Sequence, residues 1–449
     1  MKTMKLKKLI EIMACTCAVL SMQPAHAVTV NWTDTTGFWD VAGNWDLGIP
    51  TAPDDAIINV GGTHTITVRS TGAPFTVNSI SMTGNETLAI TGNTLTINGV
   101  STLNALTHTA GILTGTGNVT VTGTATLSGG SHQGAGQTLI GNTATGTLSG
   151  NFGLDSGRQL VNNSVNLNAT AGILNLNSAN GGGSGSFTNN GSLTVNPGAS
   201  FFQILASNFG AADNGADAQF TNAGTLVKNG AGGMFIDTQF TNAGTTQVQA
   251  GSIQVRNQPF SNTGTISVAS GATFNVQNAT FNNSGTLQGE GTYQTLNAAT
   301  ALVNAGALLP GVGGVGALTI SGDYTQTAAG FFDVELTSLT SFDTLNVLGD
   351  ISLNGTLRVF SLGGFNPADG DMFTIATFDD GVTDASDLTG VFSNLVWSGF
   401  DPGISFTASY FDHSIVLNAS TAVPVPPALW LLGSGILGLI GIARRRTKA

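Results

Sequence analysis

The histidines are the first residues to test for chemistry, because imidazole binds metals and also acts as an acid or base near neutral pH. No two of them have the spacing of paired metal ligands, and both cysteines, Cys15 and Cys17, lie within the first 27 residues. Zinc sites combine closely spaced Cys and His ligands, so the sequence predicts no metal site of that kind. Four histidines follow residue 27: His64, His108, His132 and His413.

Motifs for nucleophilic or nucleotide chemistry are sparse. The chain has no Gly-x-Ser-x-Gly elbow of the kind that presents a catalytic serine. The segment Gly311-Val-Gly313-Gly-Val-Gly316 has the spacing of a dinucleotide-binding loop, but no helix pattern follows it, as that motif requires. We interpret this segment as a flexible glycine turn.

One cationic position needs an explanation. Lys228 stands where a comparable segment carries Val248, and Asp237 and Arg256 follow it along the chain. A base beside acidic groups could serve a polysaccharide-active lyase or hydrolase, and we keep that enzyme as the alternative function. Because no acid cluster surrounds Lys228 in the sequence, we interpret this lysine as a surface substitution and expect the chain not to be an enzyme.

Carboxylates cluster on two short loop-like segments. Ca²⁺ prefers oxygen ligands of this type, so a structural Ca²⁺ is the one cofactor that the sequence leaves open. An EF-hand loop would need a glutamate at its twelfth position, where Val391 stands. We therefore favour an acidic, soluble surface. The carboxylates are Asp369, Asp371, Asp379, Asp380, Asp384 and Asp387.

The composition excludes two broad classes of protein. Only 8% of the residues are charged, with 13 Lys and Arg against 25 Asp and Glu, whereas nucleic-acid binding needs clustered Lys and Arg. Disordered chains combine few apolar residues with high net charge, but 41% of these residues are hydrophobic. The 62 glycines, together with many Thr, Asn, Val and Ile residues, are typical of short strands joined by turns.

A repeat organises the middle of the chain. The unit Phe-x-Asn-x-Gly-[Ser/Thr] occurs five times, at intervals of 33, 20, 20 and 21 residues, and leads into alternating strands and glycine corners such as Pro197-Gly198. A period near 20 residues predicts a parallel β-solenoid, in which equal positions of successive turns stack about 4.8 Å apart. We expect a phenylalanine stack, an asparagine amide ladder and positive φ at the corner glycines. The ladder residues are Phe187, Phe220, Phe240, Phe260, Phe281, Asn189, Asn222, Asn242, Asn262 and Asn283.

The N-terminus has the three parts of a secretory signal peptide. Lys2, Lys5, Lys7 and Lys8 precede an apolar run that extends to Met22. Ala25 and Ala27 are the small residues that a signal peptidase recognises, so we expect cleavage after Ala27. A lipoprotein signal at Cys15 would need a longer apolar run before it.

The C-terminus has a second targeting pattern. Val423-Pro424-Val425-Pro426 precedes an apolar run over residues 428–443, which ends in Arg444, Arg445 and Arg446. We expect this run to form one transmembrane helix with the arginines on the cytoplasmic side. The pattern resembles the PEP-CTERM sorting signal of Gram-negative bacteria, in a variant with Val425 in place of the usual glutamate. The resemblance implies processing by an exosortase, a membrane-embedded cysteine transpeptidase.

The flanks of the repeat are expected to cap it, because the open ends of a solenoid expose unpaired strands. Residues 28–60 carry Trp32, Trp39 and Trp45, which we interpret as a hydrophobic lid rather than a sugar-binding platform. Residues 323–420 are acidic and resemble the C-terminal module of autotransporter passengers. The predicted domains are a signal peptide at 1–27, an N-terminal cap at 28–60, solenoid repeats at 61–322, the acidic module at 323–420 and the sorting signal at 421–449.

The fold class expected is therefore all-β, a parallel β-solenoid (β-helix) of right-handed type with two caps and one C-terminal transmembrane helix. The two targeting patterns imply export from a Gram-negative bacterium, a transient inner-membrane anchor, and then a cell-surface or extracellular location. With no catalytic motif, we expect a non-enzymatic protein in adhesion or exopolysaccharide association. The partners expected are an exosortase-type enzyme, the membrane and exopolysaccharide, but no nucleic acid.

Overall fold

The computed structural model describes residues 27–179, 182–207, 213–296, 301–379, 381 and 387–422, together with a C-terminal helix whose side chains are described at 431–440. The chain divides into two compact units, residues 1–224 and 225–449. Each unit is a parallel β-solenoid, as the repeat predicted. The handedness stays a prediction.

Short strands with alternating burial build the first unit. In most of them every second side chain is buried, as expected for a pleated strand with one face toward a core. Several longer strands bend at a corner and pair with two strands of the next turn. The strands are β1 (Thr29–Asn31), β2 (Gly37–Phe38), β3 (Asp55–Ile58), β4 (Thr65–Val68), β5 (Phe75–Val77), β6 (Ser79–Met82), β7 (Thr87–Ile97), β8 (Ser101–Thr114), β9 (Val119–Leu127), β10 (Ser131–His132), β11 (Gln137–Ile140), β12 (Thr145–Leu154), β13 (Gln159–Asn162), β14 (Leu167–Asn175), β15 (Ser186–Asn189), β16 (Ser192–Val195), β17 (Phe201–Leu205) and β18 (Gln219–Asn222), with a 3-10 turn at Ala42–Asn44.

The second unit has three strands in each turn over most of its length, because each strand pairs in parallel with the third strand after it. The strands are β19 (Thr225–Lys228), β20 (Gly233–Asp237), β21 (Gln239–Asn242), β22 (Thr245–Val248), β23 (Ser252–Arg256), β24 (Phe260–Asn262), β25 (Thr265–Val268), β26 (Thr273–Gln277), β27 (Phe281–Asn283), β28 (Thr286–Gly289), β29 (Thr292–Leu296), β30 (Leu302–Asn304), β31 (Ala307–Pro310), β32 (Ala317–Ser321), β33 (Tyr324–Gln326), β34 (Phe331–Leu336), β35 (Thr344–Leu348), β36 (Ile351–Leu353), β37 (Thr356–Ser361), β38 (Met372–Phe378), β39 (Leu388–Gly390), β40 (Asn394–Ser398), β41 (Ile404–Phe411) and β42 (Ser414–Thr421).

Parallel pairing also extends beyond residues 61–322. Near the N-terminus β1 pairs with β3, and in the acidic region β34 pairs with β37, which pairs with β40. The exception lies at the end of the second unit, where β41 and β42 form an antiparallel hairpin and β42 pairs antiparallel with β38. The last element is helix α1 (Pro427–Arg446). Among the helices of the described residues, none is both long and apolar enough to cross a membrane.

The asparagine ladder runs through the interior of both units. In the first unit Asn162 donates to Asn189, which donates to Asn222, each amide bond measuring 2.7 Å. In the second unit the same 2.7 Å bond links each asparagine to the next in the order Asn242, Asn262, Asn283 and Asn304. Asn162 and Asn304 belong to the ladder although Leu160 and Leu302 stand where the repeat has phenylalanine.

The phenylalanines of the repeat stack beside the ladder. Phe187 and Phe220 pair in register, with ring centroids 5.2 Å apart and nearly parallel planes. Phe240 and Phe260 stack at 5.6 Å, whereas Phe281 meets Phe260 edge to face at 5.3 Å. All five rings are buried, so the column contributes both apolar burial and aromatic contacts to the core.

The corner glycines have the positive φ expected of them, whereas the glycine of the repeat serves a different purpose. Gly264 and Gly285 do not have positive φ, whereas the corner residues Gly198 and Gly271 have φ of 66° and 77°. A Cβ on Gly264 would collide with the carbonyl oxygen of Gly244 in the preceding turn, and one on Gly285 would collide with that of Gly264. The repeat requires glycine here because successive backbones approach too closely for any side chain.

We expect Asn262→Ala to lower the free energy of unfolding by about 2 kcal/mol, because the change removes two buried amide bonds and leaves their partners under-satisfied. The matched control is Ser261→Ala on the same strand, where the side chain is exposed and the change should stay within about 0.5 kcal/mol. Denaturant unfolding followed by circular dichroism measures both. Equal losses in the two variants would contradict a stabilising role for the ladder.

Candidate functional site

The predicted targeting residues lie largely outside the described residues. This holds for Ala25 and for residues 423–426, whereas Ala27 is the first described residue. Arg444, Arg445 and Arg446 fall within the backbone of helix α1. Signal cleavage and sorting therefore stay predictions from the sequence.

Lys228 is buried, and its interpretation as a surface substitution was wrong. It lies at a buried position of β19, in register with Val248. Its Nζ donates to the carbonyl oxygens of Asn229 and Gly230 at 2.8 Å and of Ala250 at 3.1 Å. Burial lowers the pKa of Lys228 to about 8. An ammonium enclosed by three carbonyls cannot reach a polymer outside the solenoid, so it does not supply the base of a lyase.

A second interior cation lies in the first unit. Arg158 is fully buried and donates to the carbonyl oxygens of Gly117 and Gln137, at 3.3 and 3.1 Å. It also donates to the hydroxyl oxygen of Thr138 at 2.9 Å. Burial lowers the pKa of Arg158 to about 10. Carbonyl dipoles from two preceding turns thus solvate this guanidinium inside the core.

Two histidines pack face to face beside this arginine. The rings of His108 and His132 stack at 5.0 Å, and Phe152 meets the ring of His132 edge to face at 4.8 Å. Because Thr138 accepts from Arg158, its hydroxyl proton is directed to Nδ1 of His132, 2.9 Å away. Burial lowers the pKa of His108 to about 4, and the pKa of His132 is also lowered, first by burial and then by the charges of His108 and Arg158. The pair is therefore neutral and structural.

The remaining solenoid arginines are paired on the surface by one recurring arrangement. Asp237 opposes Arg256 in the next turn and binds it through two bonds of 2.7 and 2.6 Å. The guanidinium carbon also lies 4.2 Å from the ring centroid of Phe235, two residues before the aspartate. The same Phe-x-Asp and arginine set occurs twice more: Phe38, Asp40 and Arg69, and Phe331, Asp333 and Arg358.

The glycine turn at 311–316 is fixed by a buried carboxylate. Asp343 accepts from the backbone N–H of Gly316 at 2.7 Å and of Glu335 at 2.9 Å. Burial raises the pKa of Asp343 to about 7, with a smaller contribution from the nearby charges of Glu335 and Asp333. Strand β32 rather than a helix follows the turn, so a nucleotide-binding role has no structural basis there.

The three N-terminal tryptophans are buried against one another. Trp45 meets Trp32 and Trp39 edge to face at 5.0 and 4.8 Å, and none of the three is more than 4% exposed. Stacking on a sugar requires an open ring face, so this cluster does not form a sugar-binding platform. Its contacts favour a hydrophobic packing role.

An uncharged groove opens on the outer surface of the first unit. It has a volume of about 410 Å³ and crosses β10, β12, β14 and β17. Register places Ser131, Gly153 and Asn175 in one row across three successive turns. A Cβ on Gly153 would collide with Ser178, so this glycine leaves the floor of the groove open. The groove is lined by Gly130, Ser131, Asn151, Phe152, Gly153, Ile173, Asn175, Ser178, Leu205 and Ser207.

The acidic segments for which the sequence left Ca²⁺ binding open separate into two groups. Asp369 accepts a bond from the backbone N–H of Thr421 in the C-terminal hairpin, whereas Asp371 accepts one from Ala368 in its own loop. Asp379 and Asp387 instead come together with His413, and ligand atoms of the three lie within 4.8 Å of one another. Asp380 and Asp384 lie outside the described residues.

We expect the contribution of His108 to stability to be lost as the pH falls from 6.5 toward 4, while Asp343, whose pKa is raised to about 7, contributes in the opposite direction. Because the folded-state pKa of His108 is lowered from 6.5 to about 4, its contribution is fully present above pH 6.5, and in this window the unfolded chain takes up a proton that the folded chain excludes. The loss from this residue is about 3 kcal/mol, measured as the free energy of unfolding at several pH values.

His108→Leu should reduce this acid-dependent loss, because Ile90 and Leu127 are its register neighbours and leucine suits the column. His64→Gln, at a half-exposed position, is the control and should keep the loss. Identical pH profiles for His108→Leu and the unmodified protein would show that His108 is not responsible.

The described surface thus offers a neutral groove of amides, hydroxyls and apolar side chains, while Lys228, Arg158 and the histidine pair lie in the interior. No protein-family model matches this chain, and no curated protein matches it either.

Proposed function

We propose that this chain is an exported, non-enzymatic β-solenoid protein of the bacterial surface or extracellular matrix, which contacts neutral polysaccharide through the first unit. The observation that most directly supports this proposal is the uncharged groove formed by stacked turns. Amide and hydroxyl groups can both donate to and accept from sugar hydroxyls, and an apolar side chain such as Ile173 suits the C–H face of a sugar ring. A few fixed polar groups on a largely preformed surface are typical of binding sites.

The non-enzymatic part of the proposal is supported by the placement of the charged residues. Lys228 and Arg158 are buried, and Arg256 is engaged by Asp237. These are the three basic residues between 87 and 322. Their positions count against the alternative of a polysaccharide lyase or hydrolase with its base on the solenoid surface.

Export and sorting form the second part of the proposal and rest on the sequence patterns. Residues 1–27 direct secretion, and residues 421–449 hold the chain transiently in the inner membrane through the segment 428–443 until an exosortase acts. Residues 28–60 and 323–420 cover the ends of the solenoid. The interlocked tryptophans and the hairpin on β38 support these two capping roles.

We expect Ile173→Glu to weaken polysaccharide binding, because it places a charge in the groove and removes its apolar contact. Affinity electrophoresis in native gels that contain dextran, galactomannan or xyloglucan measures the retardation of the protein. Thr170→Glu is the matched control, since Thr170 is exposed on the same strand but does not line the groove. Absence of retardation in every gel, or equal retardation of Ile173→Glu, would contradict the groove as a polysaccharide site.

We expect removal of residues 423–449 to change where the protein accumulates in a Gram-negative host that carries an exosortase. Fractionation into inner membrane, outer membrane and medium, with mass analysis of the mature C-terminus, measures the effect. The double change Pro424→Ala and Pro426→Ala should act like the deletion, and Ser420→Ala should have no effect. An unchanged distribution of the truncated chain would refute the sorting role.

A further inference from the structure

Three side chains that are distant in sequence meet near the end of the second unit. Asp379 directly follows β38, Asp387 directly precedes β39, and His413 lies in the turn between β41 and β42. One ligand atom from each lies within 4.8 Å of the other two. His413 Nδ1 is only 2.9 Å from Oδ2 of Asp387.

Backbone bonds fix all three positions independently of the side chains. The N–H of Asp379 donates to Val347 at 3.2 Å, and the carbonyl of Asp387 accepts from Ile351 at 2.8 Å. The carbonyl of His413 accepts from Phe378 at 3.2 Å. The cluster is therefore held by β35, β36 and β38, and does not depend on a chance approach of mobile side chains.

The buried carboxylate of Asp387 lacks hydrogen-bond donors among the described residues. It is only 1% exposed, yet neither carboxylate oxygen accepts a well-formed hydrogen bond from any described residue. Burial of an ionised carboxylate costs several kcal/mol unless a cation or hydrogen-bond donors compensate it. His413 Nδ1 lies 2.9 Å from Oδ2 but is poorly oriented to donate to it, so a cation bound between these groups would compensate the buried carboxylate.

We propose that Asp379, Asp387 and His413 form a binding site for a divalent first-row transition-metal ion, with Zn²⁺ as the reference ion. An imidazole nitrogen with two carboxylates is a ligand set that such ions accept, whereas Ca²⁺ takes six to eight oxygen ligands. The histidine therefore argues against the structural Ca²⁺ that the carboxylates alone left open. The cluster also revises the prediction that the chain has no transition-metal site, because that prediction considered only ligands close together in the sequence.

The bound ion connects parts of the chain that meet by different strand pairings. Asp379 and Asp387 flank the last parallel strands, and His413 belongs to the antiparallel hairpin. An ion that binds the folded state alone stabilises it in proportion to the logarithm of its concentration above the dissociation constant. The site thus fastens the hairpin to the end of the solenoid and is independent of the proposed polysaccharide contact.

Isothermal titration calorimetry of the full chain, stripped with EDTA and titrated with ZnCl₂ or with CaCl₂, tests the site. We expect one Zn²⁺ per chain, weaker or no binding of Ca²⁺, and a higher unfolding temperature with Zn²⁺ than with EDTA. Absence of saturable Zn²⁺ binding, or a preference for Ca²⁺, would overturn the proposal.

Variants locate the ion. His413→Gln and Asp387→Asn should each weaken Zn²⁺ binding by about tenfold or more, since mutation of a group that only supports a ligand already costs about that much. His413 is more than half exposed, so His413→Gln should fold normally even if Asp387→Asn does not. Asp412→Asn is the matched control, because Asp412 lies in the same turn but outside the cluster, and it should leave the affinity unchanged. Unaltered binding in His413→Gln would place the ion elsewhere.

Discussion

In-register stacking of the buried asparagine amides is the constraint on which the rest of the structure depends. Each amide in a ladder is bonded at 2.7 Å to the amide one turn away, and it has no water to replace that partner. A shift of one residue would turn every asparagine outward and every exposed threonine inward. The ladder therefore sets the register of the turns that carry it, from Asn162 to Asn222 and from Asn242 to Asn304, and the glycines that permit close backbone approach make that register sterically accessible.

Register also decides which charges reach the surface. At β19 it places Lys228 in the interior, where backbone carbonyls from its own turn and the next enclose the ammonium. At β23 it sets Arg256 opposite Asp237, so that the cation is neutralised on the surface. The outer face consequently presents amides, hydroxyls and scattered apolar groups, which favours contact with a neutral polymer over binding of a polyanion.

Side chains of different chemical types converge where the repeat ends. Along the phenylalanine and asparagine columns, equal side chains meet equal side chains, and the cations of the solenoid are enclosed by carbonyls or paired with an aspartate. At the end of the second unit, an antiparallel hairpin returns against β38 and brings His413 to Asp387. The irregular connection brings two carboxylates and an imidazole together, which a strictly periodic stack does not.

The sequence by itself determined the parallel solenoid, the turn length, and the phenylalanine and asparagine columns, because these follow from a local period that needs no knowledge of distant contacts. Asn162 and Asn304 fall outside the repeat pattern because Leu160 and Leu302 replace phenylalanine and because Ser164 and Ala307 stand at its glycine and Ser/Thr positions, respectively. The polarity of lysine suggested a surface position for Lys228. Buried and exposed side chains alternate along β19, however, and that alternation predicts burial at Lys228. Only the tertiary structure decided the carbonyl cage of that lysine, the stacked histidine pair and the meeting of Asp379, Asp387 and His413. These contacts depend on how corners and loops return to the stack, and the repeat period contains no information about those paths.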